Sequence, residues 1–269
     1  MHPKSITRAK PRALSASPWG WAVGGALLGL TVAVLVFAPA RWLSAAVQSL
    51  SDGRVLLAQP RGTVWSGSAQ LLLTGGAGSH DVAALPGRVS WTLRPAWTHL
   101  TARLDAPCCT PQALQLQATP RWGGVQVALQ DGLTQWPAAL LAGLGTPWNT
   151  IQAEGRLHLS TQGLSVTLVQ GRLAIEGQAR LEALAMSSRL STLSPMGSYR
   201  FTLSGGATTS LQLTTLEGSL QLSGSGHWVD SRLHFEGRAS AQAERVDALS
   251  NLLNIIGQRQ GAHSIIKVG

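Results

Sequence analysis

Few side chains in this sequence have the chemistry for catalysis or metal binding. Seven histidines, two cysteines and twelve carboxylates are spread over 269 residues. His2 lies in the N-terminal tail, His80 and His99 near turns, and His158, His227, His234 and His263 in or beside runs that alternate like strands. A zinc site gathers three or four ligands, and these histidines are scattered. His158 stands between Leu157 and Leu159, and His234 between Leu233 and Phe235, so a polar strand position accounts for both. The carboxylates sit mostly next to Gly or Arg at predicted strand ends. No Gly-x-Ser-x-Gly elbow, phosphate loop, Gly-x-Gly-x-x-Gly turn or His-Glu-x-x-His pair occurs. The expectation is a protein that is not an enzyme and carries no catalytic residues, cofactor or metal.

The cysteines are neighbours, Cys108 and Cys109 in "DAPCCTPQ". Adjacent cysteines bond to each other only through a strained eight-membered ring, because a relaxed bridge wants Cα atoms farther apart than one peptide unit. One reading is a labile redox pair. The other is a turn flanked by Pro107 and Pro111, with the thiols free or joined in a local clip; no Lys or His adjoins them to lower a thiol pKa.

What positions these residues begins with a basic tail, residues 1–18, carrying Lys4, Arg8, Lys10 and Arg12. With Arg41 they hold five of the nine excess positive charges, and the remaining arginines are scattered singly. That spread is a poor match for nucleic acid, whose affinity comes from clustered neutralising charge. Next comes "WGWAVGGALLGLTVAVLVF", 19 residues without a charge. As a helix it spans about 28 Å, the thickness of a hydrocarbon core. Residues 19–40 are therefore read as a membrane anchor, with Leu27, Leu28, Leu30, Val36 and Phe37 in the apolar zone. Trp19, Trp21 and Trp42 stand at headgroup level, and the basic tail stays in the cytoplasm. Ala38, Pro39 and Ala40 have the form of a cleavage site, but the apolar stretch is longer than a removable signal core. Residues 41–269 then form one body across the membrane.

That body reads as mainly β: a curved antiparallel sheet, groove-forming or a half barrel, with two short helices. Residues 155 to 186 alternate, with Leu157, Leu159, Leu164, Val166, Leu168, Leu173, Ile175, Ala179, Leu181 and Ala183 on one face. Gly163, Gly171 and Gly177 sit where turns or bulges belong. "ARWLSAAVQSL" prolongs the anchor helically. Residues 132 to 145 place Trp136, Leu140, Leu141 and Leu144 on a helical stripe, with Pro137 in a first turn and Gly145 as a stop. Residues 243 to 261 place Val246, Leu249, Leu252, Leu253 and Ile256 on another, ended by Gly257. The two overlay at an offset of 112 residues, a hint of an internal repeat.

One local signature is "RGTVWSGSAQLLL". Gly62 and Gly67 bracket Thr63, Val64 and Trp65, read as a short extended piece in which Trp65 caps the open end of an apolar interior with its N–H toward a carbonyl, or is a core residue at a strand crossing.

This stretch resembles the early Gly-Thr-Val-Trp-x-Gly-x-Ala segment of the general secretion pathway protein N family, the type II secretion system N component. The likeness continues through "LPGRVSWTLRP", "CCTPQALQL", "SPMGSYRFTLSG", "LTTLEGSLQLSGSGHW" and "RLHFEGRASAQAERVDALSNLLNIIGQRQG". It implies a single-pass inner-membrane accessory part of the machinery that exports folded proteins, with a periplasmic β domain meeting the inner-membrane platform or the outer-membrane secretin. The ending "FEGRASA...LSNLLNIIG" is also similar to AsmA-type envelope proteins, which implies an alternative: a lipid-binding or lipid-transfer module with an apolar β groove. Whether the helix at residues 246 to 256 fills that groove separates the two.

Overall fold

The computed structural model describes residues 19–229, 232–261 and 263–269, so the basic tail lies outside the described residues. The chain divides into a first unit ending at Ala38 and a second from Pro39 to Gly269.

The first unit contributes helix α1 (Trp19–Val36), whose 18 residues are uncharged and none of which is buried. At about 1.5 Å per residue it is about 27 Å long, enough to cross a bilayer. Its one hydroxyl, on Thr31, donates to the Leu27 carbonyl (2.9 Å), so that group is satisfied within the helix.

The second unit opens with α2 (Ala40–Leu50). Among the described residues sixteen strands follow, each paired antiparallel to its neighbours: β1 (Val55–Gly62), β2 (Ser66–Thr74), β3 (Val82–Ala84), β4 (Val89–Pro95), β5 (Leu100–Asp105), β6 (Leu114–Arg121), β7 (Gly124–Leu129), β8 (Gly132–Pro137), β9 (Ala153–Val169), β10 (Arg172–Ser188), β11 (Gly197–Ser204), β12 (Ser210–Gly218), β13 (Leu220–Val229), β14 (Arg232–Ala241), β15 (Gln258–Gln260) and β16 (His263–Val268). Between β8 and β9 come a 3-10 segment, Ala138–Leu144, and one helical turn, α3 (Trp148–Ile151); α4 (Val246–Ile256) precedes β15. The sheet is open, running in chain order from β1 to β14, then β16 and β15, with β3 attached to β2 and β8 to β9. Short hairpins account for most of that order, because a short connection returns the chain beside its own strand; the longer ones, from β8 to β9 and from β14 to β15, carry the helical pieces.

The expected mainly β architecture is what is found, with two differences of detail. Residues 132 to 137 form strand β8 rather than the start of a helix: Trp136 pairs with Leu157 and Gln135 with His158. Pro137 is tolerated because it ends a strand paired on one side only. Of the turns or bulges expected at the three glycines, Gly163 and Gly177 meet at a bulge inside one long hairpin of two 17-residue strands, where Gly163 and Leu164 stand opposite Gly177 alone. A Cβ on Gly177 would strike the Gly163 backbone. The turn itself is Gln170 and Gly171, both with positive φ (+49° and +76°), the geometry that matches strand twist. The internal repeat fails, since one segment is 3-10 and the other α, and Gly145 is left-handed (φ +80°) while Gly257 is extended.

Packing explains why the helical pieces sit where they do. Alternation gives the sheet one apolar face, and three elements cover it. On α2, Ala40 and Leu43 join Leu57, Ala69, Trp91, Leu93 and Leu104. The 3-10 segment sets Leu140 among Leu71, Leu73, Leu85, Val89 and Ala106. From α4, Leu249, Leu252 and Leu253 enter the main core with Tyr199, Leu213, Leu220, Phe235 and Ala239. All three leucines are at most 2% exposed.

Candidate functional site

The Gly62 to Gly67 step is the bend that joins β1 to β2, not the extended piece its sequence suggests. Gly62 has φ +88°, and a Cβ there would lie 2.5 Å from the Ser66 carbonyl. Thr63 closes the bend from its own atoms: its N–H donates to the Ser66 carbonyl (2.8 Å), and its hydroxyl accepts from the Ser66 N–H (3.1 Å). At Gly67 a Cβ would lie 2.6 Å from the Trp91 ring, so glycine is what allows that indole to lie over the strand. Trp91, 3% exposed, donates its N–H to the carbonyls of Thr63 (3.2 Å) and Val64 (3.0 Å). The indole that the sequence reading assigned no role therefore ties down the bend, while Trp65 is half-buried and its carbonyl accepts from Leu93 N–H (2.7 Å). Its signal was the inward alternation of Val89, Trp91 and Leu93.

This bend lies on one rim of the sheet, and Pro39, the first residue of the second unit, bridges to Thr63 there. Hairpin register places three more turns on the same rim. The 96–99 turn follows β4, whose Leu93 bonds Trp65; Leu100 pairs with Ala118, which puts the Trp122–Gly123 turn beside it; and the Gln170 N–H reaches the Gly123 carbonyl (3.2 Å). Trp97 and Trp122 occupy two of these turns and are about 100% exposed. Sequence reasoning passed over both, although an indole inside a turn was the available signal. Below the last two turns, Val125, Leu168 and Leu173 are exposed cross-strand neighbours.

Trp19, Trp21, Leu27, Leu28, Leu30, Val36 and Phe37, expected from the sequence to form an anchor, are all exposed in the first unit, and Trp42 is exposed on α2. On α4, Ile256 is half-buried beside the three buried leucines, and Gly257 ends the helix. Cys108 and Cys109 are bonded to each other in the loop between β5 and β6. Cys109 is 2% exposed; its N–H donates to the Ala106 carbonyl (2.8 Å) and its carbonyl accepts from Gln135 (2.8 Å), which fastens β8 to the loop.

Chemically active clusters are sparse. His227 and His234 stack across β13 and β14 with ring centres 6.2 Å apart, near Glu236, which pairs with Lys267 at 3.3 Å. Among the described residues no three His, Cys, Asp or Glu side chains gather as metal ligands. A cleft of about 340 Å³ beside the cysteine loop is lined largely by polar side chains, including Arg103, Asp105, Gln115 and Asp131. Burial raises the Tyr199 pKa above its ordinary value and keeps the phenol neutral.

Both outer strands are blunted against strand addition. A bulge at Gln59 and then Pro60 interrupt β1, while Ser44 and Arg88 occupy the Leu57 and Gln59 carbonyls (2.7 and 2.8 Å). Strand β15 is three residues long. The surfaces left for a partner are thus the faces and rims.

No curated protein and no solved structure matches the chain. The sequence model of the type II secretion system protein N family matches residues 53–265, nearly the whole second unit, and the chain belongs to that family.

Proposed function

We propose that this protein is a non-enzymatic, single-pass inner-membrane component of the type II secretion system. In this reading α1 is the span, the N-terminus is cytoplasmic, and the β body stands in the periplasm. There it meets other secretion subunits, the inner-membrane platform or the outer-membrane secretin. Membership of the family over residues 53–265 carries the secretion role. The apolar face of the sheet supports the structural part: α2, the 3-10 segment and α4 cover it from within, so its burial serves stability and the polar outer face and the rims remain for contacts.

The AsmA-like alternative, a lipid-binding module, needs an open apolar slot of several hundred cubic ångströms. Leu249, Leu252 and Leu253 occupy the place where such a slot would run, which favours the structural reading. Deletion of the gene is expected to lower exported protein in the medium while the same proteins remain in the periplasm; an unchanged secretome contradicts the proposal. Lipid extracted from the purified full chain and analysed by mass spectrometry separates the alternative, since a stoichiometric acyl ligand would favour it.

A further inference from the structure

The rim that carries Trp65, Trp97 and Trp122 combines three features. The second unit begins on it, because Pro39 bridges to Thr63, and in the chain the apolar segment ends two residues earlier at Phe37. The two turn indoles are almost wholly bare, which is unusual for the residue type that gains most from burial. Finally, the turns at 62–65, 96–99, 122–123 and 170–171 are flanked by Arg61, Arg94, Arg121 and Arg172, all exposed, with His99 half-buried. None of the described carboxylates lies within three residues of these turns; the nearest, Glu176, is five residues beyond Gly171. The carboxylates Asp52, Asp81, Asp105, Glu244 and Asp247 flank strand ends on the opposite rim.

Bare indoles interleaved with arginine are what an anionic phospholipid surface selects: the ring settles at headgroup level and the guanidinium pairs with phosphate. We infer that this rim seats in the anionic leaflet from which the chain emerges, with Trp97 and Trp122 inserted among headgroups and Arg94 and Arg121 on the phosphates. The sheet is then held against the bilayer by its own turns as well as by α1, and the opposite rim faces away. Val125, Leu168 and Leu173 continue the apolar surface just behind the inserted turns. The inference rests on the reading of α1 as a membrane span.

The test uses the full chain in nanodiscs of three parts phosphatidylethanolamine to one part phosphatidylglycerol. Single cysteines at Ala96→Cys, Trp122→Cys, Glu244→Cys and Leu28→Cys carry an environment-sensitive fluorophore, attached without reducing the native disulfide. The labels at 96 and 122 are expected to shift to the blue and to be quenched by headgroup-level nitroxide lipid, while the label at 244 stays in water. Arg94→Glu with Arg121→Glu should abolish the shift at 96 and leave the label at 28 in lipid. If 96 and 122 are as wet as 244 while 28 is in lipid, the inference is overturned and the span stands. If 96 and 122 become protected only when other secretion subunits are added, the rim is a protein interface and the inference is likewise overturned. A label at 28 outside lipid removes the span and, with it, this proposal.

Discussion

Truncating Leu253 tests whether α4 is part of the core or a loose cover. Leu253 is fully buried, flanked by Leu249 and Leu252 on the same stripe, and its carbonyl accepts from Ser264 (2.6 Å), itself fully buried. The neighbours are held by sheet and helix and have little freedom to collapse into a void. Leu253→Ala should therefore cost about 3 kcal/mol, in the middle of the range for buried leucines. For a body of this size that lowers Tm by about 6–12 °C. Ile255 lies on the outer side of the same helix, 40% exposed, and Ile255→Ala should change stability by less than about 0.5 kcal/mol. Both variants are compared by thermal and urea unfolding of the full chain, followed by circular dichroism at constant detergent. Equal effects of the two substitutions would refute the packing assigned to α4.

Three other outcomes follow from the geometry. Gly67→Ala drives a Cβ against the Arg61 carbonyl and the Trp91 ring and should destabilise by about 1–3 kcal/mol, with an altered near-ultraviolet signal from the indole; an unchanged spectrum would contradict that contact. The chain has one tyrosine, so absorbance at 295 nm reports Tyr199 alone. Its folded pKa is raised by burial, so the stability it contributes is complete below the unfolded value of about 10 and is lost as pH climbs above it. Tyrosinate should thus appear only with alkaline unfolding, and a midpoint near 10 in the folded chain would disprove the burial. The Cys108–Cys109 bridge closes almost no loop, so mild reduction should cost about 1 kcal/mol or less; a collapse in Tm would show that the clip does more than fasten one turn.

Where one period dominated, the sequence was a good guide. The spacing of Leu249, Leu252, Leu253 and Ile256 identified α4, and the alternation from Leu157 to Ala183 identified strand structure there, though not that it is one hairpin of two long strands. It misled where two periods overlap. Trp136, Leu140, Leu141 and Leu144 satisfy a helical stripe, yet the first belongs to β8 because Trp136 and Gln135 complete the ladder on β9. Helical contacts resume only after Pro137, and there as a 3-10 turn whose Gly143 sits against the Leu73 carbonyl. Glycine position alone does not separate turn from bulge: Gly171 turns a hairpin, whereas Gly163 belongs to a bulge that Gly177 faces from the other strand. Alternation marks Trp91 as inward-facing, but its role in the bend was hidden for a related reason. Its importance comes from a bend 27 residues upstream in the chain, a distance that no local pattern encodes.

The central claim is that one apolar helix leaves the β body on the exported side of the inner membrane as part of the secretion apparatus. Fusing alkaline phosphatase, which is active only after export, behind Gly269 tests it most directly. The account predicts an active phosphatase and a silent cytoplasmic reporter at the same position; a silent phosphatase with an active cytoplasmic reporter would contradict it.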